Sequence, residues 1–493
     1  MQQGKEGTGR RFLGGAAWSA LDFWTQQVGG FLVLLLVGRI AGPDAVGVMA
    51  TAQLLVALGM VLLLDGFSDA LVQRDVVEPH HIDSAFWLLF VAGCVAGLIM
   101  LALAPLAALV FGQPQLAVLL PMLALGLPLV GVSAALQGMM QRGMRFRLLA
   151  TRTVAAQAAG IAVAVLLASR GFGAGALVGH FLVSRLVDSA ILFLFGRFRP
   201  GVAVRAAALR DILRYGRHRV GNQFVGFLVM QVDRFSVALF LSPAIIGLYA
   251  LAERLALSLI NGVSGVATRA AFPMLSARKH DADSFAAMLR DLLLAVNLAA
   301  VPAFIGLAAI SPELMLVLMG PAWHGAALPL ALLALAGIPH ASNYLVATSV
   351  NALGRPDLMF RISLHIMLMR ILASLIAAPF GIVAVAAANL LATSLSTPML
   401  LRAVRKVLPG ADAAVLAGAS IPLAAGVVMA AAVLGAAAAL EGHPPVLLLL
   451  AKVVVGVVAY PAATWLLATR TQRDRARLLL LRRSAVHPAA SGG

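Results

Sequence analysis

Stretches of apolar residues, each long enough for one bilayer crossing and each closed by Gly, Pro or charge, recur fourteen times along the chain. The predicted spans are 14–39, 45–68, 84–111, 116–139, 149–169, 174–196, 219–241, 244–269, 287–310, 325–348, 359–379, 382–402, 413–437 and 446–469. A crossing takes about 20 apolar residues. Hydrocarbon offers no partner to an open backbone group, so each run is expected to be a helix. The first stretch follows Lys5, Arg10 and Arg11 as the core of a signal peptide would. It is too long for one, carries Asp22, Gln26 and Gln27 and lacks an A-x-A site, so a retained first helix is expected.

Composition narrows the class. Hydrophobic residues make up 61% of the 493 and charged ones only 12%, where a soluble domain carries about 25% charged. A soluble enzyme is excluded. The net charge of +17 would suggest nucleic acid in a soluble chain. Here it follows the tendency of basic residues to collect in cytoplasmic loops, and no nucleic-acid partner is expected. Placing the N-terminus inside puts most of the 37 Lys and Arg in inner segments, including a cluster at Arg142, Arg145, Arg147 and Arg152 and a basic tail from Arg470. Outer loops hold only Arg39 and Arg170. Both termini are therefore expected in the cytoplasm. Cys94, the single cysteine, is expected to pack in an apolar run.

The chain also echoes itself. Gly42-Pro43-Asp44-Ala45-Val46-Gly47-Val48-Met49-Ala50 returns as Ser242-Pro243-Ala244-Ile245-Ile246-Gly247-Leu248-Tyr249-Ala250, and Met144-Arg145-Phe146-Arg147 as Leu358-Met359-Phe360-Arg361. Two six-helix halves of like orientation, a parallel repeat, follow. The expected architecture is an all-α polytopic membrane protein of about 14 helices. It divides into an N-lobe (1–198), a C-lobe (199–406), a final helix pair (407–470) and a basic cytoplasmic tail (471–493).

Ionisable and amide side chains inside spans are costly in hydrocarbon and mark candidate function. Trp18, Asp22 and Gln26 share one face of the first span. The seventh contributes Asn222, Gln223, Gln231, Asp233 and Arg234, with Asp233 and Arg234 pointing about 100° apart. The eighth carries Arg254, Asn261 and Thr268 on one stripe, with Glu253 beside it and Arg269 at its end. These two spans form the strongest constellation. Arg185 and Asp188 are expected to pair with each other. His340, Asn343 and Tyr344 are placed on one face of the tenth span, and Arg361 and His365 on one face of the eleventh, with Arg370 deeper. No His, Cys, Asp or Glu set has metal-ligand spacing. G-x-x-x-x-G-K-[ST], H-E-x-x-H and G-x-S-x-G are absent, and no segment between spans is longer than roughly 25 residues. No cofactor, metal or catalytic residue is expected.

Five stretches stand out in order along the chain: Ala17-Trp18-Ser19-Ala20, Gly66-Phe67-Ser68-Asp69-Ala70-Leu71-Val72-Gln73-Arg74, Met140-Gln141-Arg142 to Phe146, Thr268-Arg269-Ala270-Ala271-Phe272-Pro273-Met274-Leu275, and Met319-Gly320-Pro321-Ala322-Trp323. In them the chain resembles the Wzx-type oligosaccharide-lipid flippases of the multidrug/oligosaccharidyl-lipid/polysaccharide superfamily, most closely the colanic-acid-exporter branch. The resemblance covers roughly 10–365. It implies a V-shaped, two-lobed bundle that works by alternating access in the bacterial inner membrane. The implied cargo is an undecaprenyl-pyrophosphate-linked oligosaccharide for exopolysaccharide, capsule or O-antigen assembly, moved by an ion gradient or the membrane potential.

On that resemblance, the substrate cavity falls to Arg234, Arg254, Arg269, Asn222, Gln223, Gln231, Asn261, Trp18, Gln26 and Arg370. Asp22, Asp233 and Glu253 become candidates for coupling to a proton or sodium ion. Membrane lipids and a polysaccharide polymerase complex are the implied partners. The family often relies on arginines in its first two spans, which this chain lacks. Competing expectations are a multidrug or cation antiporter, a lipid-linked peptidoglycan precursor flippase and a membrane scaffold.

Overall fold

The computed structural model describes residues 3–61, 79–196, 201, 204–408 and 411–467. The side chains of some helical residues, Asn222, Thr268 and Arg269 among them, lie outside the described set, as do the motif at 66–74 and the tail. The described residues form helices and no strand. These are α1 (Gln3–Met60), α2 (Pro79–Val110), α3 (Leu116–Ala124), α4 (Leu127–Arg142), α5 (Phe146–Ser169), α6 (Ala174–Phe195) and α7 (Ala206–Phe240). They continue as α8 (Pro243–Ser276), α9 (Ala282–Leu318), α10 (Ala327–Ala352), α11 (Pro356–Ala377), α12 (Ile382–Arg405), α13 (Ala411–Ala439) and α14 (Pro445–Leu467).

α1 is two helices in one. Gly42 adopts φ 80° and ψ 175°, a conformation open to glycine and strained for other residues. Pro43 then supplies the fixed φ suited to a helix's first turn. The predicted first and second spans are the two arms of this kink. The predicted fourth span is likewise α3 followed by α4, broken at Leu125 and Gly126 ahead of Pro128. Among the described residues, 12 helices are long and apolar enough to cross a membrane, with both arms of α1 counted as one. Separating those arms and adding the 35-residue α7 recovers the fourteen predicted segments. α7 starts at Ala206, well ahead of 219, and α9 runs past both ends of 287–310. Hydropathy marks only the hydrocarbon crossing, whereas the backbone ladder continues beyond it.

The chain packs as two compact units. The first comprises Met1–Arg254, Leu318–Ala326 and Arg370–Ala388. Its core includes Phe86, Leu89 and Val130 between α2 and α4, and Leu136, Met140, Leu149 and Leu192 among α4, α5 and α6. Arg145 closes α6 by donating from Nη1 to the Gly196 carbonyl at 2.9 Å and from Nη2 to that of Phe195 at 3.0 Å, satisfying acceptors that a helix end leaves open. In the Met319–Trp323 motif, Trp323 is buried, and it and Met319 pack where Gly38 leaves α1 without a side chain.

The internal echo has a direct structural counterpart in this unit. A Cβ on Gly47 would lie 1.7 Å from the Pro243 carbonyl oxygen, and one on Gly247 would lie 1.9 Å from that of Pro43. The two repeated segments therefore cross backbone to backbone at equivalent glycines, each against the other's proline, as a local twofold would place them. Small residues allow helix backbones this proximity in membranes.

The second unit comprises Leu255–Val317, Ala327–Met369 and Asn389–Gly493. Phe285, Leu289, Leu293, Phe304, Leu345 and Val404 anchor its main core, and a second cluster joins Val301 of α9 to Met429, Val433 and Tyr460 of the last two helices. A buried ion pair ties α14 to α9. Lys452 Nζ donates to both Glu313 carboxylate oxygens at 2.7 and 2.8 Å and to the Ala309 carbonyl at 3.0 Å, using all three of its donors.

The reciprocal crossing makes a testable demand. Gly47→Ala or Gly247→Ala puts a methyl group into a carbonyl that belongs to the backbone and cannot rotate away. Each is expected to cost at least the roughly 1–3 kcal/mol of an overpacked site, seen as a lower thermal midpoint of the detergent-purified protein. Because both methyls force apart one contact, the double variant should cost less than the sum. Full additivity would show that the two glycines do not share a crossing.

Candidate functional site

α5 and α6 build the first part of the site. Arg152 stands in the second turn of α5 and is 3% exposed. Its Nη1 lies 3.2 Å from each carboxylate oxygen of Asp188 on α6, and its Nη2 donates to Gln137 Oε1 of α4 at 2.9 Å. Two expectations are corrected here. Arg152 belongs to a buried helix face and not to a basic inner loop, because α5 already begins at Phe146. Asp188 pairs with Arg152 and not with Arg185, because the neighbouring helix brings its guanidinium directly onto the carboxylate. Arg185 instead lies over the Phe181 ring, 5.6 Å from its centroid.

Between these helices is a cavity of about 460 Å³. α1 contributes Gln26 and Gln53 from its two arms, α4 Ser133, Gln137 and Gln141, α5 Arg152, Thr153 and Gln157, and α6 His180, Ser184, Arg185 and Asp188. Gln157 Oε1 and His180 Nε2 are 3.2 Å apart, and Ser184 donates to the Ala156 carbonyl at 3.2 Å. Amides and hydroxyls that both donate and accept are suited to a poly-hydroxylated ligand. The polar face of the first span meets this cavity. Trp18 lies under the Arg147 guanidinium at 5.8 Å, Asp22 accepts from Thr153 Oγ1 and, at 3.2 Å, from Gln26 Nε2, and Gln26 itself lines the space.

Of the predicted constellation in the seventh and eighth spans, Asp233, Arg234, Glu253 and Arg254 belong to the first unit, whereas Asn261 belongs to the second. Asp233 and Arg234 turn to separate partners, as their angular offset requires. Arg370 Nη2 reaches Asp233 Oδ2 at 3.2 Å, and Arg234 binds Glu253 through Nε. Arg254 reaches α1 where it carries no side chain, since a Cβ on Gly30 would be 2.6 Å from Nη2. One small space of about 10 Å³ lies beside Arg234 and Tyr249. Arg234, Arg370, Asp233 and Glu253 thus form a charge network of two ion pairs that joins α7 to α8 and α11. Gln231 keeps one buried amide oxygen without a partner, and Gln223 and Asn261 are exposed. Asn222 and Arg269 lie outside the described side chains.

The tenth-span trio separates. Asn343 is buried and donates to the Thr393 carbonyl at 3.1 Å and Ser396 Oγ at 2.8 Å, whereas Tyr344 is half exposed. His365 Nδ1 lies 2.7 Å from the Arg361 carbonyl, and both residues are exposed. Residue-by-residue reading named Gln26 but not the other glutamines of the cavity, Gln53, Gln137, Gln141 and Gln157. Their signal was available as polar stripes at i, i+4: Gln137 with Gln141, Thr153 with Gln157, and His180 with Ser184 and Asp188.

Fold and cavity define a multi-pass helical membrane protein that holds polar space within its helix bundle. The polysaccharide biosynthesis protein family matches residues 36–328, more than half of the chain, and the chain belongs to that family. It is 28% identical over 307 residues to the succinoglycan biosynthesis transport protein ExoT of Rhizobium meliloti, covering 62% of each chain. The lipopolysaccharide biosynthesis protein WzxC of Escherichia coli is 23% identical, covering 71% of each. The lipid II flippase MurJ in an inward closed conformation shares the fold at a TM-score of 0.72 and 14% identity, over 91% of this chain and 98% of MurJ. An inward-facing MATE transporter of the MOP superfamily aligns at 0.52 and 16% identity, over 80% of this chain and 95% of that one.

Removing one member of a buried ion pair strands the other. Arg152→Gln is expected to destabilise the protein by about 3–5 kcal/mol, because it leaves Asp188 charged and unpaired. Arg152→Gln with Asp188→Asn should recover most of that loss. Thermal melts of the purified variants check both. A double variant no better than the single one would rule out the pair as the cause.

Proposed function

We propose that the protein is a flippase that carries an undecaprenyl-pyrophosphate-linked oligosaccharide repeat unit from the cytoplasmic to the periplasmic leaflet of the bacterial inner membrane. The observation that carries this reading is the cavity. Amides and hydroxyls from four helices line a space inside a bundle that must otherwise exclude polar groups. A family defined by polysaccharide biosynthesis supplies the context, and the transport and flippase names of ExoT and MurJ support the step. The chain is a transporter and not an enzyme.

In this reading both termini are cytoplasmic, in line with the basic loops. The two six-helix halves, 1–198 and 199–406, alternate around the cargo, with 407–470 as an added pair. Gln26 and Trp18 meet the sugars. Arg234, Arg254, Arg269 and Arg370, with Asn222, Gln223, Gln231 and Asn261, take up the polar head when the charge network opens. Asp233 and Glu253 exchange partners during that opening. Asp22, held by Thr153 and Gln26, is the candidate for binding a coupling proton or sodium ion. The polyprenyl tail stays in lipid, and a polymerase complex receives the product.

Deletion of the gene in its host tests this. The expected outcome is a build-up of complete lipid-linked oligosaccharide in the cytoplasmic leaflet with loss of surface polymer. Normal polymer with new drug sensitivity would move the assignment to an antiporter, and rescue of a strain depleted of its lipid II flippase would move it to peptidoglycan.

A further inference from the structure

The charges among the residues that line the cavity do not balance. Arg152 and Asp188 neutralise each other at 3.2 Å, which leaves Arg185 as the one arginine of the lining without a carboxylate. Among the described residues Arg185 makes no hydrogen bond or ion pair, and its Nε is buried without a partner. Phe181 supports the guanidinium from one face at 5.6 Å. Such stacking fixes the plane and leaves the edge, with its fork of N–H donors, open to a planar anion. A guanidinium inside a bilayer-spanning helix whose donors lack acceptors is costly unless something supplies them.

We propose that Arg185 is a specificity residue that binds a carboxylate carried by a sugar of the cargo, so that this flippase selects an acidic repeat unit. The proposal rests on the flippase reading and names its substrate class. An anion here has two sources in such a cargo, a sugar acid and the pyrophosphate. The surroundings favour the sugar acid. One uncompensated charge matches one carboxylate bidentately, whereas a pyrophosphate carries more negative charge than one guanidinium offsets. Gln157 and His180 supply the neutral hydrogen-bonding groups that ring hydroxyls require. At about 460 Å³ the space suits a small-molecule-sized portion of the cargo, such as a few sugars, and not a whole lipid-linked oligosaccharide.

The test is a calorimetric titration of the full-length protein in nanodiscs with three probes: a disaccharide bearing one uronic acid, its neutral counterpart, and inorganic pyrophosphate. The uronic disaccharide should bind the unmodified protein, and Arg185→Gln should weaken it by about tenfold or more, the value of a charge-assisted hydrogen-bonded pair. Arg185→Lys, which keeps the charge and loses the fork, should fall between. The neutral disaccharide should bind weakly and equally to all three proteins. Equal binding of the uronic disaccharide to the unmodified and Arg185→Gln proteins would overturn the proposal, as would no binding by any probe. Pyrophosphate binding that Arg185→Gln removes, without uronate binding, would also overturn it and assign the site to the phosphate end. If Arg185→Gln does not fold, the comparison with Arg185→Lys decides. The leaflet assay does not depend on Arg185, so failed uronate binding alongside cytoplasmic-leaflet build-up would sink this proposal and leave the flippase standing.

Discussion

Hydrocarbon gives no hydrogen bonds, so every polar group that the bundle carries into the membrane must find its partner within the protein. That single constraint organises the structure. It makes the backbone helical throughout the spans, and it sorts most of the charged side chains within them into pairs: Arg152 with Asp188, Arg234 with Glu253, Arg370 with Asp233 and Lys452 with Glu313. Three of these pairs join different helices of one unit, and the fourth ties the last helix to α9. Buried pairs gain little net stability, because desolvation offsets attraction, but they penalise every arrangement in which one partner is missing. Their contribution is to fix which helices meet and in what register.

The same constraint explains why the bundle closes through glycine. With lipid as apolar as the side chains, helices associate by close packing and not by hydrophobic exclusion. At Gly47 and Gly247 the closest approach is made by backbone alone, each glycine against the proline that begins the other's helix. The two segments echo each other in sequence and sit as equivalents in space. A Cβ at either position would push the pair apart, so residues that look like ordinary turn chemistry in the sequence act as a packing contact between repeats.

Much of the fold was legible because bilayer crossing imposes length and hydropathy on any sequence. α6 and α14 fall within two residues of 174–196 and 446–469 for that reason. The kink at Gly42 was visible as a boundary, since Gly-Pro cannot continue a helix. The site was legible only in part. Local spacing predicts which side chains share a face, and on the face of Trp18, Asp22 and Gln26 the first two meet Arg147 and Thr153 of α5. It also showed that Asp233 and Arg234 need separate partners. It cannot tell which helix supplies a partner, so Asp188 was matched to Arg185 three residues away in the helix turn when Arg152, 36 positions earlier, takes it. Apart from Gln26, the cavity glutamines went unnoticed because a neutral amide in a span costs less than a charge and so stands out less, although four helices converging on one polar space is the feature that matters most.

Charge pairing also bears on the driving force. An ion pair that moves as a unit carries no net charge through the field, so a helix shift that keeps a pair such as Arg152 and Asp188 intact takes little electrical work. A cargo with uncompensated negative charge is different. Moved outward across an inside-negative membrane, each charge gains about 2.3 kcal/mol per 100 mV. Arg185 offsets one such charge while the cargo is bound and stays with the protein when it leaves. The binding step therefore overcomes the cost of bringing an anion into low dielectric, and the potential favours its release on the far side. For an acidic repeat unit, the membrane potential then supplies outward drive of its own, and a coupling ion at Asp22 would serve to reset the empty carrier.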